Sequence, residues 1–151
     1  MRGLVNNGTL NINTGTLGFD TGNWLNTSSG LINVAQGAEL LLAATTLSAG
    51  SLTNAGKVTV IGNDSHVQAA ARISGNWQMN AGRLFIEGTQ TIGTLTINGG
   101  VITGQGTLNV DQLSFNAGTL TNPSFQTGAA LTVRGNTTFN GTGNQSIDNS
   151  H

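Results

Sequence analysis

Cysteine and tyrosine are absent, proline occurs once (Pro123), and charged residues make up 7% of the 151-residue chain, where an ordinary globular protein has roughly 25%. Without thiols there are no disulfide staples and no thiolate metal sites. The five basic residues, Arg2, Lys57, Arg72, Arg83 and Arg134, are scattered, and the formal net charge is −1. Nucleic acids and anionic membranes are held by Lys and Arg neutralising phosphates, so neither is expected as a partner. No apolar run reaches the roughly 18 residues of a membrane-spanning helix, and no membrane insertion of this segment is expected. The opening MRGLVNNGTL lacks the apolar centre of a signal peptide. Such a start fits either a cytoplasmic protein or a segment cut from a longer one.

Glycine, asparagine, threonine and β-branched residues dominate what is present, with 23 glycines in all. Disordered chains combine high net charge with few β-branched residues; this composition does the opposite. It describes a neutral, β-rich, turn-dense polypeptide.

One window recurs along the chain: LVNNGTLNI around Gly8, NTSSGLINV around Gly30, LTNAGKVTV around Gly56, QMNAGRLFI around Gly82, ITGQGTLNV around Gly106, and FQTGAALTV with Ala129 in the glycine place. Successive anchors are 22, 26, 26, 24 and 23 residues apart, and a further 22 reaches His151, in mid-copy. Two and four residues after each anchor stand apolar pairs such as Leu10/Ile12, Val58/Val60 and Leu108/Val110, which period-two alternation puts on one face of a strand. A second motif precedes the anchors, as in Phe19-Asp-Thr-Gly22, Leu47-Ser-Ala-Gly50, Ile97-Asn-Gly-Gly100 and Phe115-Asn-Ala-Gly118.

Periods of 20–50 residues belong to solenoids, propellers and arrays. The leucine-rich pattern is missing, and a propeller blade needs about 40 residues. The expected fold is therefore all-β: a right-handed, single-stranded parallel β-helix of about six coils of 22–26 residues. Residues 1–151 would form one β-helix segment. No capping helix is evident at either end, so a fragment of a longer solenoid is expected. The stretches 39–46 (ELLLAATT) and 66–73 (HVQAAARI) have helix-like composition. Periodicity alone leaves them as strand or short helix; the phase of the repeat favours strand.

Two positions before the anchors stand Asn6, Ser28, Asn54, Asn80, Gly104, Thr127 and Asn149. In this alignment Asn6, Asn54, Asn80 and Asn149 form a structural asparagine ladder at a corner, since Asn tolerates left-handed turns. One after the anchors, Lys57 and Arg83 would stack as like charges. Five after, Glu87 and Asp111 would be neighbours with Arg134 next. Stacked carboxylates can raise a pKa or hold a cation, or can be a surface pair relieved by Arg134. Trp24 and Trp77 are candidates for a sugar-stacking surface, with corner core packing as the plainer alternative. Asp64-Ser65-His66 is expected in a corner loop, because adjacent strand residues point to opposite faces and triads assemble from separated segments. The Gly-Gly-x-Gly-x-Asp calcium repeat is missing, as are zinc motifs, nucleophile elbows and phosphate loops. No catalytic residue, metal site or cofactor is assigned.

The end of the chain, ALTVRGNTTFNGTGNQSIDNS, runs from a strand into Gly-Asn-x-Thr-Phe-x-Gly through Leu131, Val133, Gly135, Asn136, Thr138, Phe139 and Gly141. It resembles the repeats of autotransporter passenger domains, and the Gly-x-Leu rhythm of GGVITGQGTLNV is similar to the haemagglutinin-like exoproteins of two-partner secretion. The Asn-Pro motifs near the start of the exoprotein secretion domain do not occur here, and no translocator barrel follows. The resemblance implies an internal passenger segment, secreted or displayed on a bacterial surface, serving as stalk, adhesin or export scaffold without enzymatic activity. Implied partners are a host-surface protein or glycan, with end-to-end or side-by-side self-association. Two other functions compete. A carbohydrate-active β-helix enzyme on polysaccharide would have to use Glu87, Asp111 and Arg134. An ice-binding β-solenoid would need a threonine ladder, yet three after the anchors stand Asn11, Asn33, Thr59, Phe85, Asn109 and Thr132, a broken row.

Overall fold

The computed structural model describes residues 4–18, 24–121, 130–141 and 145–148. Ala129, Thr127, Asn149, His151 and the motif at 19–22 lie outside the described residues. Within them the protein is an all-β parallel solenoid of about six turns.

Each turn crosses three faces. In the first turn these crossings are β1 (Val5–Asn6), β2 (Thr9–Ile12) and β3 (Thr16–Gly18); in the second, β4 (Trp24–Asn26), β5 (Leu31–Val34) and β6 (Glu39–Ala43). β7 (Thr45–Leu47) and β8 (Ser51–Asn54) follow on the first and second faces. From there several strands run round a corner and serve two faces: β9 (Lys57–Val67) and β11 (Asn76–Ile86) the third and then the first, β12 (Thr89–Ile97) and β14 (Thr107–Phe115) the second and then the third. β10 (Arg72–Ile73) and β16 (Ala130–Val133) lie on the second face, β17 (Thr137–Phe139) on the third, and β13 (Val101–Gly104), β15 (Gly118–Thr121) and β18 (Gln145–Asp148) on the first. All pairings are parallel, as a chain that returns to each face one turn later requires.

Alternation turns one side of each strand inward, and identical inward positions stack. On the third face Leu40, Val58, Trp77, Leu95 and Leu113 are consecutive partners, and beside them Leu42, Val60, Met79, Ile97 and Phe115. Every one is buried in a single continuous core. Burying a side chain of this size contributes about 1.5–3 kcal/mol over leaving it exposed. A single coil has no opposite layer to bury against, so that gain comes only from stacking. An ionised side chain at Val58, in the middle of one column, would break it.

The ambiguous segments resolve as strand. Residues 39–46 are β6 and the start of β7, joined at Ala44 with φ 53°. Residues 66–73 are the end of β9, a turn at 68–71, and β10. Among the described residues there is no helix.

Between Gly30 and Gly106 the coils are shorter than the anchor spacing. Trp77 pairs with Leu95 and Leu95 with Leu113, 18 residues apart at each step, while Leu10 and Ile32 are 22 apart. The anchors walk round the solenoid instead of stacking. Gly8 and Gly30 precede second-face strands, Gly56 precedes the third-face part of β9, Gly82 the first-face part of β11, and Gly106 precedes β14 on the second face again. Three steps of the series therefore each exceed one turn by one face, and together they hide a whole turn. In the true register Asn80-Ala81-Gly82, Asn98-Gly99-Gly100 and Asn116-Ala117-Gly118 stack at the corner between the third and first faces, 18 residues apart. Their last glycines have φ of 78°, 81° and 111°, a conformation in which a Cβ is strained.

Candidate functional site

The corrected register separates several of the residues that the sequence alignment brought together. Lys57 and Arg83 do not stack. Lys57, at the start of the third face, meets Glu39 one coil away at Nζ–Oε1 2.8 Å. Arg83, at the start of the first face, makes a two-pronged contact with Asp64, Nε–Oδ1 2.8 Å and Nη2–Oδ2 2.9 Å. Hydrogen bonds from Lys57 and then Thr59 hold the Glu39 carboxyl below its usual value, against the opposing push of its partial burial.

Glu87 leaves the first face after Ile86, its amide bonded to Val67 O. Asp111 follows Val110 at the corner between the second and third faces, and Arg134 follows Val133, the partner of Val110. Asp111 and Arg134 thus occupy one corner on adjacent coils, while Glu87 is at another. The expected acidic pair does not form. Among the described residues no three His, Asp or Glu side chains converge as metal ligands do.

Asp64, Ser65 and His66 lie in β9 and not in a corner loop. Ser65 points inward, is buried, and its Oγ accepts from Thr45 N at 3.4 Å; Asp64 and His66 point outward. The His66 ring stacks on Phe85 with centroids 4.5 Å apart and an interplanar angle of 5°, and Arg83 lies 5.7 Å from the Phe85 centroid. These residues make an ordered outward patch on the first face. The side chains flanking the anchors carry no sign of it, because only strand pairing brings residues 19 or 20 apart together.

Both tryptophans are core. Trp24 is 1% exposed at the start of the first face, and Trp77 is 2% exposed on the third, its Nε1 donating to Ser74 O at 3.0 Å. Neither presents a ring to solvent.

Asn6, Asn54 and Asn80 sit at three different corners. Asn6, at the end of the first face, donates from Nδ2 to Asn26 Oδ1 at 2.8 Å, and Asn26 donates to Gly30 O and Ala49 O at 3.1 and 3.0 Å. Asn54, ending the second face, donates to Asn76 O at 2.6 Å. Asn80, ending the third face, accepts from Asn98 at 3.0 Å, and Asn98 accepts from Asn116 at 2.8 Å. Asn6 and Asn80 thus belong to separate amide ladders, a buried one through Asn6 and Asn26 and an outer one through Asn80, Asn98 and Asn116. Asn149 lies outside the described residues.

On the second face the ladder is interrupted: β2, β5, β8 and β10 form one sheet, and β10 has no backbone pairing with β12. The buried amide of Gln90 spans the gap, donating to Gln68 O, Ala71 O and Glu87 O at 3.3, 3.2 and 3.4 Å.

No protein-family model, no curated protein and no solved structure matches the chain.

Proposed function

We propose that the chain is a non-enzymatic structural and adhesive segment of a secreted or cell-surface bacterial protein: a stiff spacer that also offers side-chain arrays for contact. The observation carrying this reading is the unbroken inward column Leu40–Val58–Trp77–Leu95–Leu113, with uncharged outward neighbours beside its upper part. A core that continues from coil to coil resists bending, and at about 4.8 Å per coil the rod is on the order of 30 Å long. The exported setting rests on the likeness of Leu131, Val133, Gly135, Asn136, Thr138, Phe139 and Gly141 to passenger repeats. Contact with a host-surface protein or glycan, and association between rods, belong to the same reading.

The carbohydrate-active alternative loses Glu87 to another corner and keeps Asp111 and Arg134. A polysaccharide depolymerisation assay on wild type and Asp111→Ala separates the two. No depolymerisation by wild type supports the structural reading; turnover lost in Asp111→Ala replaces it. Antibody labelling of intact producing cells tests the setting. The expected result is surface signal removed by external protease, and signal appearing only after lysis would overturn it.

A further inference from the structure

The upper part of the third face carries a grid that becomes visible only in the true register. β11, β12 and β14 stack there with 18-residue steps. Asn76 pairs with Thr94 and Thr94 with Gln112; Gln78 pairs with Thr96 and Thr96 with Ser114. The outer ladder Asn80, Asn98, Asn116 adds a third column, its middle rung fixed by Asn98 N to Met79 O at 2.8 Å. Nine side chains therefore stand three by three, about 4.8 Å apart between coils and about 6.6 Å apart along each strand. Six are amides, three are hydroxyls and none is charged. All reach solvent, fully or in part.

Several of these groups are held in place. Gln78 donates to Asn80 Oδ1 at 2.7 Å and Ser114 to Asn116 Oδ1 at 3.3 Å, besides the bonds within the asparagine ladder. Amides fixed by their neighbours lose less side-chain freedom on binding. Two other outward arrays carry charge, the first face with the Arg83–Asp64 pair beside stacked rings and the lower third face with Glu39 and Lys57, whereas the upper second face opposes uncharged Thr89 to Thr107 and Thr91 to Asn109.

We infer that this grid binds an extended uncharged polysaccharide, lying across the coils on the third face. The complementarity is one of charge and of hydrogen bonding. A neutral sugar chain carries hydroxyls that both donate and accept, and the grid offers carbonyl acceptors, amide donors and hydroxyls that do either. An anionic glycan would leave its charges without cationic partners within the grid. The nine grid side chains include no ring on which a sugar could stack, so each contact is weak and affinity accumulates over many residues of a long chain. This rests on the adhesive reading above and names its ligand class.

The test is affinity electrophoresis of the whole chain through gels containing galactomannan, hydroxyethylcellulose or dextran, with polygalacturonate and heparin as anionic comparisons. Expected is retardation by at least one neutral polymer, unchanged between low and high salt. Thr96→Arg, at the grid centre, should weaken retardation at least tenfold with an unaltered circular dichroism spectrum, while Thr119→Arg on the first face should not change it. If Thr96→Arg misfolds, Thr94→Ala/Gln112→Ala replaces it and should weaken retardation severalfold. The inference is overturned by absence of retardation in all three neutral gels, by retardation only in the anionic ones, or by undiminished binding in a folded grid variant. It is equally overturned if sedimentation shows the grid variants abolishing self-association instead, or if the grid lowers the freezing point in a thermal-hysteresis assay without binding polymer. Retention of chain-coated beads on host cells, undiminished by Thr96→Arg, would leave the adhesive reading standing and the grid without this role; beads that are not retained would count against that reading alone.

Discussion

Arg83 reaches Asp64 across one coil with both a 2.8 Å and a 2.9 Å contact, and the same arginine borders the Phe85 ring that stacks on His66. Lys57, its expected stacking neighbour, is engaged on a different face with Glu39. Four of the chain's eleven charged residues are thus neutralised pairwise between coils, which removes repulsion from the stack without bringing charge into the core.

Glu39 titrates below its usual range because Lys57 and Thr59 donate to it. A carboxyl depressed in the folded state contributes stability that is present above its unfolded pKa and lost as pH falls through the folded value. Wild type is therefore expected to exceed Glu39→Gln in thermal midpoint at neutral pH, with the gap closing in the acid range below the normal carboxylate value. Exposed pairs contribute about 0–1 kcal/mol, so the gap should be small. A gap that persists at low pH would assign the effect to packing.

Gly37 and Gly75 separate two costs of a side chain. Both have left-handed φ, 81° and 80°, but a Cβ at Gly37 meets nothing within 4 Å while one at Gly75 falls 1.8 Å from Asn54 O. Gly37→Ala should lose about 1 kcal/mol from backbone strain alone. Gly75→Ala should lose more, about 3 kcal/mol or beyond, because backbone must move. Urea denaturation of both variants checks the order; equal losses would show that the coil spacing yields at no cost.

Gln90 donates toward three carbonyls where the second-face ladder is interrupted, two of which, Gln68 O and Ala71 O, also accept from Ala71 N and Arg72 Nη1. Gln90→Leu keeps the volume but not the donors, and a stability loss of about 1–3 kcal/mol is expected. Hydrogen exchange should rise in the turn at 68–71 before it rises elsewhere. Unchanged exchange there would mean that solvent already serves those carbonyls.

Asn6 and Asn26 are coupled through a buried amide bond. Asn26→Leu also strands Ala49 O, while Gly30 O keeps its bond from Ser51 N, so it should cost about 2 kcal/mol, and Asn6→Leu less. In a double-mutant cycle the pair should show a coupling energy of about 0.5–2 kcal/mol. Strict additivity would deny the ladder any role.

The architecture was legible in the sequence because the inward pairs, Val58/Val60 or Leu108/Val110, alternate wherever a strand runs, and repetition at roughly 20 residues admits few folds. The site was not legible, for a physical reason. Asn-Ala-Gly before Lys57 and Asn-Ala-Gly before Arg83 turn different corners with the same residue types: an amide to bind stray backbone groups, a small residue, and a glycine, which takes positive φ at Gly82 and leaves room for Ala35 O and Ala38 O at Gly56. Nothing local distinguishes one corner from another. An alignment on those residues therefore keeps strand phase, since each corner feeds an alternating strand, while losing a third of a turn at Gly56, again at Gly82 and again at Gly106. Which outward side chains become neighbours depends on backbone pairing across whole coils. The tryptophans were ambiguous for a related reason: large inward and large outward residues occupy adjacent strand positions, and one residue of phase decides between them.

The unpaired stretch between Ile73 and Gln90 on the second face has a thermodynamic consequence. In a stack of coils, stability is a chain of nearest-neighbour couplings, and cooperativity ends where one coupling is small. Two faces carry the ladder past this point and one does not, so the link there is the weakest of the sequence. The described coils up to Ile73 and those from Thr89 onward should then behave as two communicating units under partial denaturation, opening with distinct free energies that native-state exchange can resolve. Under axial load the rod would yield first along that one side, as a seam instead of a uniform beam.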